Sequence, residues 1–257
     1  MTLLPTSLRR LTPTRLRDDP RVRALAVGSG LIPPRTMHSA EDAAVLLDLA
    51  RDARCVVEIG VYEGASAIAL CQTMPAGSEL HLVDPFGRHP DALPSGWGAT
   101  EWATRRVVSR ALRRRDDGVG VSGPGTGRAA RNPVVRVHWH TCLSTELAAR
   151  WAQEVERGVD RGVDQGVDRG VDLVFIDGDH SEAGCELDWS EWHPFVAVGG
   201  HVVFHDARAG LQGGRGLPGP TSVVTRHFRP GATGGDGVSG WEIVAEADRT
   251  VAVRRVA

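Results

Sequence analysis

The chain has 257 residues and a formal charge of −2, from 32 acidic residues against 30 basic ones, every one of which is arginine. Without lysine there is no pyridoxal Schiff base, no lysine nucleophile and no intact Walker phosphate loop, because each needs the ε-amine. The near-neutral sum offers no field for holding a polyanion, so nucleic-acid binding through bulk charge is not expected, whereas 41% apolar residues suffice for a sizeable core.

Residues 1–38 read as an N-terminal arm. Its first 17 residues carry four arginines and no acid, but Pro5 and Pro13 interrupt any amphipathic helix, so a mobile or docking arm is expected rather than a targeting peptide. No signal-peptide core and no apolar run of about eighteen residues is present. The four cysteines, Cys55, Cys71, Cys142 and Cys185, form no CxxC pair. A soluble, cytoplasmic protein in a reducing compartment is expected, with no membrane or nucleic-acid partner.

Ser39, followed by Glu41 and Asp42, starts a helical pattern that runs through Leu49. Cys55–Ile59 reads as a buried strand, 60–64 as a tight turn, Ala65–Thr73 as a helix and Glu79–Val83 as a strand ending at Asp84. Between 85 and 132 lie a Gly/Pro-rich stretch with Trp97, a helix over Thr100–Arg115 and a loop of disordered character. That helix carries Arg105, Arg106, Arg110, Arg113, Arg114 and Arg115, either a solvated face or a surface for an acidic ligand. A strand at Val134–Trp139 and a helix at Ser144–Glu156 follow.

Residues 157–172 are a tetrapeptide tandem, RGVD RGVD QGVD RGVD, matching neither the helix nor the strand period and expected to be an exposed, flexible connector. Leu173–Ile176 is a strand that stops at Asp177, Ser181–Trp192 a helix and His201–Phe204 a strand. The tail holds a glycine-rich stretch, a short helix at Thr221–Phe228 and a hairpin of Trp241–Ala245 with Thr250–Arg254. Strands alternating with helices predict one α/β domain over 39–257. Its sheet should be doubly wound, Rossmann-like, seven-stranded and mostly parallel, with the C-terminal hairpin antiparallel.

In such a sheet ligands lie beyond the carboxyl ends of the strands, so the residues after each strand matter most. The first strand leads into VVEIGVYEGASA, where Gly60 and Gly64 allow close backbone approach at a helix N-terminus. Glu58 and Glu63 flank the turn. A pyrophosphate would want GxGxxG without nearby carboxylates, whereas ExGxxxG suits a ligand with a positive end. Asp84, twenty residues beyond Gly64, can accept hydrogen bonds from both ribose hydroxyls of an adenosine-containing cofactor.

Four blocks in this order, VVEIGVYEGASA, HLVDPFG, VFIDGDHSEAGCELDWSEW and VAVGGHVVFHDA, resemble the class I S-adenosylmethionine-dependent methyltransferases over roughly residues 40–256. Within that class they are similar to the small-molecule group of macrocin-type sugar O-methyltransferases and cephalosporin-hydroxylase-like proteins. The resemblance implies that Glu58, Gly60 and Gly64 hold the methionine part of S-adenosylmethionine, with Ser66 and Asp177 also on the cofactor, and that Asp84 holds its ribose. Ser144 would lie near adenine, although Leu143 stands where the family often has an acid. Tyr62, the only tyrosine, either packs in the turn or touches the cofactor.

Methyl transfer requires the acceptor to be positioned and its proton removed. Asp177, Asp179 and His180 after one strand, and His205 and Asp206 after the next, are the candidates. His180 is the first choice of base and His205 the second. The resemblance to metal-dependent catechol-type and macrolide-sugar enzymes also implies a divalent ion such as Mg2+ on Asp177 and Asp206. His205, where the catechol type has an acid, would favour softer metals. Catechol-type enzymes use a lysine near the metal as base; here His180 takes that place, so the base should titrate near neutrality.

The expected activity is methyl transfer to a hydroxyl of a small molecule, such as a sugar of a specialised metabolite. N-methylation of an amino sugar, a non-catalytic cofactor-binding or hydroxylase-like relative, and a nicotinamide-dependent oxidoreductase are the alternatives, the last disfavoured by the missing GxGxxG. The arm could exchange between subunits of a homo-oligomer.

Overall fold

The structure, a computed structural model, describes residues 19–88, 100–118, 135–157, 170–229 and 240–257. The readings made above for residues 1–17, for Trp97, for the loop around 119–134 and for most of the RGVD tandem lie outside these residues.

Among the described residues there are seven strands: β1 Cys55–Ile59, β2 Glu79–Val83, β3 Arg136–His140, β4 Val171–Ile176, β5 Val196–Phe204, β6 Trp241–Ala247 and β7 Thr250–Arg255. The helices are α1 Pro20–Ser29, α2 Ala40–Ala50, α3 Ala65–Thr73, α4 Glu101–Gly118, α5 Ser144–Glu156, α6 Glu182–Trp192 and α7 Pro218–Phe228. The strands form one sheet in the order β3-β2-β1-β4-β5-β7-β6, with β1 to β5 parallel and β7 antiparallel to both neighbours. This is the doubly wound, mostly parallel sheet with a C-terminal antiparallel hairpin expected above. The direction of winding reverses between β1 and β4, which puts the ligand crevice beyond their carboxyl ends.

Alternation along the strands sends Val57, Ile59, Val174, Ile176, Val202 and Phe204 to one face, covered by α5, α6 and α7. Val56, Leu80, Leu82, Leu173, Phe175 and Val203 go to the other, covered by α2, α3 and α4. Trp192, fully buried, fills the first core against Trp151 and Phe195. Each such apolar side chain contributes roughly 1.5–3 kcal/mol by leaving water, which is why these central strands read as continuous apolar runs.

The larger differences from expectation lie in β4, β5 and the arm. The last RGVD unit is not connector: Val171 and Asp172 belong to β4, and Asp172 Oδ2 accepts hydrogen bonds from the backbone N–H groups of Arg54 and Cys55 at 2.7 and 2.8 Å. β5 starts at Val196 rather than His201, despite Gly199 and Gly200, because Val171 pairs with Val196. Within the arm, residues 20–29 form α1, capped by the Asp19 carboxylate on the N–H groups of Arg21 and Val22 and stopped by Gly30 at φ 80°.

The β1 turn is built by backbone contact. Gly60 N–H donates to the Val83 carbonyl and Asp177 N–H to the Ile59 carbonyl, both at 2.9 Å. A Cβ on Gly60, at φ 88°, would stand 2.1 Å from the Asp177 carbonyl oxygen. Gly199 has a similar φ of 84° with nothing within 4 Å of its Cβ position. Both changes to alanine incur the left-handed penalty of about 1–2 kcal/mol. Gly60→Ala should therefore destabilise by at least ~2 kcal/mol more than Gly199→Ala in urea titration, the excess measuring the β1–β4 contact.

Candidate active site

Asp177, directly after β4, lies at the centre of the site. Its Oδ1 is 2.8 Å from His205 Nδ1 and 3.2 Å from His180 Nε2, and its Oδ2 is 3.1 Å from His38 Nε2. Burial alone would raise the acid's pKa, but hydrogen bonds from these three imidazoles bring it well below the usual carboxylate range. Asp206, after β5 with φ 54°, closes the group: its Oδ2 is 3.4 Å from His180 Nε2 and 3.7 Å from His205 Nδ1, while Oδ1 pairs with Arg249 at 3.1 Å. His180, hydrogen-bonded to Asp177, is raised above the ordinary imidazole pKa, and so is His205, where the two aspartates outweigh burial.

Four of the expected residues, Asp177, His180, His205 and Asp206, are thus brought together. Asp179, the fifth, is not: its Oδ1 accepts from Ser181 N–H, and Ser181 in turn caps α6. His180 keeps 31% of its side chain accessible against 1% for His205. That difference favours His180 as the group an acceptor reaches. His205 is wedged between Phe175, His38 and Asp42, with Nε2 3.8 Å from Asp42 Oδ2.

Beneath the turn, Glu58 is fully buried. Ser66 Oγ donates to Glu58 Oε1, whereas Oε2 is buried without a hydrogen-bond partner. Burial, reinforced by the charges of Asp177 and Asp84, pushes the Glu58 pKa up to about 8. A buried acid with an unsatisfied oxygen, surrounded by further carboxylates, fits a cofactor with a positive end, which would restore the ionised form. Asp84 faces the same turn: Oδ2 accepts from Val61 and Tyr62 N–H, each at 2.9 Å, and Oδ1 from Phe86 N–H at 2.7 Å. Tyr62 takes φ 52°, its carbonyl accepts from Thr104, and its hydroxyl accepts from Arg35 at 3.4 Å. Gly64, at φ 83°, is the N-cap of α3.

Two carboxylate and serine roles differ from the reading of the residues alone. Glu63, which seemed free to face a positive ligand, is clamped by the arm: Arg23 donates to both its oxygens at 2.5 and 2.6 Å, and Arg35 N–H donates to it at 2.6 Å. Ser144 donates to Asp188, whose pKa burial raises to about 7. The arginine face of α4 is partly structural, since Arg106 and Arg110 donate to the Gly28 carbonyl at the end of α1. His38 escaped the sequence reading because it lies in the arm, far in sequence from Asp177. Asp19-Pro20, an N-cap before a first-turn proline, with Gly30 as the stop, is the signal that reveals the helix ahead of it.

Glu58 carries a pH signature. Its carboxyl, near 4.5 when exposed, retains its proton in the fold up to about 8, so the folded state binds more protons across that window and stability falls as pH rises through it. Glu58→Gln, which keeps a partner for Ser66 without ionising, should melt at the same temperature as the parent at pH 5 and several degrees higher at pH 8.5 in the cofactor-free protein. Identical shifts at both pH values would refute this.

The geometry can be set against known proteins. Among curated proteins no sequence matches the chain. Of solved structures, cofactor-bound Rv0187 from MTB aligns over 100% of this chain and 99% of its own at 20% identity and a TM-score of 0.50. A protein from Corynebacterium glutamicum aligns over 98% and 95% at 15% identity, also with a TM-score of 0.50. These likenesses concern the fold. The model of one family, described as a methyltransferase domain, matches residues 57–207, more than half of the chain, from β1 through the residues after β5. That span holds the Gly60 turn, Asp84, Asp177 and the His205–Asp206 pair, and the chain belongs to this family of class I S-adenosylmethionine-dependent methyltransferases.

Proposed function

We propose that the enzyme transfers the methyl group of S-adenosylmethionine to a hydroxyl of a small molecule, a sugar of a specialised metabolite being the acceptor class in view. The observation that carries this reading is the contact of the Gly60 turn with Asp177: the turn suited to the cofactor abuts the strand end that carries the histidines. Glu58 and Ser66 would meet the methionine part, with Gly60, Tyr62 and Gly64 shaping the turn. Asp84, once its backbone donors rearrange, would meet the ribose, and Ser144 would lie toward adenine.

In the transfer the acceptor oxygen bonds to the methyl carbon as the carbon–sulfur bond breaks, and the hydroxyl proton must leave. His180 Nε2 faces Asp177 and Asp206, which leaves Nδ1 to take that proton. Asp177 holds the ring in that orientation and stabilises the imidazolium that results, while His205, nearly inaccessible, supports Asp177.

The same atoms also suit a divalent ion. Two sets of three donors lie within 4.8 Å of one another, His180 with His205 and Asp206, and His38 with Asp177 and His205, and the His–Asp separations of 2.8–3.7 Å suit pairs of donors on one ion. With two imidazoles each set favours zinc, iron or manganese over Mg2+. Such an ion would lower the pKa of the acceptor hydroxyl.

Titration calorimetry with S-adenosylmethionine, then acceptor screening by mass for a methyl increment, tests the reading; absence of cofactor binding ends it. His180→Ala should lower kcat by about 10²–10⁴-fold with little change in cofactor Kd, whereas Glu58→Ala should raise that Kd. Full activity after metal stripping would remove the ion from the scheme and leave His180 as base.

A further inference from the structure

A second cluster of potential ligands lies away from the methyl-transfer site, on the first half of the paired strands β2 and β3. We propose that Glu79, His81 and His138 form a second divalent-metal site, with the chemistry of zinc. Strand periodicity places residues 79 and 81 on one face of β2, and the parallel register sets His138 beside His81 and Arg136 beside Glu79. One ligand atom from each of Glu79, His81 and His138 lies within 4.8 Å of the other two.

Three details favour an ion over a simple polar cluster. Glu79 Oε2 and His81 Nε2 are 3.8 Å apart, too far for a hydrogen bond but within the span of two donors about 2.0–2.1 Å from one ion. Arg136 holds the other oxygen, Glu79 Oε1, at 2.9 Å, so Oε2 is directed at the imidazole. His138 Nε2 is buried and has no hydrogen-bond partner, a costly state for an imidazole nitrogen that a cation would relieve.

The surroundings resemble the support that metal-bound histidines receive. His81 Nδ1 is 3.1 Å from His140 Nε2, so the far nitrogen of the ring is engaged while Nε2 faces Glu79. The rings of His81 and His138 lie near-parallel with centroids 4.5 Å apart, so one ring must turn to bring both in-plane lone pairs onto one ion, and Trp151 of α5 lies edge-on to His81 at 4.9 Å. Two imidazoles and one carboxylate match zinc, with water completing the shell, better than Mg2+ or Ca2+. β1 separates these strands from β4, so this cluster shares no ligand with Asp177, His205 or Asp206. A bound ion would cross-link β3, the edge strand, to β2.

The test uses the full chain carrying Asp177→Asn and Asp206→Asn, which disables the strand-end cluster. After chelator treatment and dialysis against zinc, elemental analysis should find one equivalent per chain. Co2+ in its place should give the visible absorption of a low-coordinate site. Adding either Glu79→Gln or His138→Gln should remove that band and weaken zinc binding by at least about 100-fold, with circular dichroism unchanged. His140→Gln should weaken it about tenfold. No zinc in the parent double variant, or undiminished zinc in both Glu79→Gln and His138→Gln, would overturn the proposal.

Discussion

Asp177 is a carboxylate withdrawn from water that stays ionised because three imidazoles converge on it, and the architecture around it serves that convergence. His180 comes from its own strand end, His205 from the neighbouring one, and His38 from the segment before α2. The backbone of the same residue supports β1, accepting the close approach that only a glycine at position 60 permits. A single strand terminus therefore sets the Gly60 turn, the candidate base and the docking point of the arm. Losing its charge would leave the paired histidines without the partner that orients them.

The carboxylates of this site are held in unequal states. Asp177 is satisfied by donors and pushed toward ionisation; Glu58, one strand away, has one donor and is pushed toward protonation. Glu63 is neutralised by the Arg23 guanidinium and also accepts the Arg35 backbone N–H. What remains uncompensated is concentrated under the Gly60 turn, where a sulfonium or ammonium would be stabilised. A fold optimised for stability alone would not leave an acid there.

The sheet was legible because its strands are central and buried on both faces, so Cys55–Ile59 appears as a mostly apolar run stopped by Gly60, and Glu79–Val83 and Leu173–Ile176 as runs stopped by Asp84 and Asp177. The strand-end rule then found Asp177, His180, His205 and Asp206. Elements stabilised by tertiary contacts were not legible in the same way. α1 has little apolar face and depends on Arg23 with Glu63 and on Arg106 and Arg110 at its last turn. His38 is local to nothing it touches. The β4 boundary was obscured because its first residues also complete a repeat, and Asp179 resembled its neighbours until the cap at Ser181 claimed it.

The attachment of the arm has a thermodynamic consequence. Arg23 and Arg35 hold Glu63 on one flank of the turn, and His38 holds Asp177 on the other, so the segment 19–38 is tied down on both sides of the Gly60 turn, at the crevice where the proposed ligand would sit. Ordering of that segment and occupancy of the crevice are then linked quantities. By reciprocity, whatever factor the docked arm contributes to ligand affinity, the ligand returns to the docking equilibrium of the arm. Arg23 suits such a clasp, since its guanidinium keeps its charge at any pH the fold survives and grips both Glu63 oxygens at once, with the Arg35 backbone N–H adding a third bond.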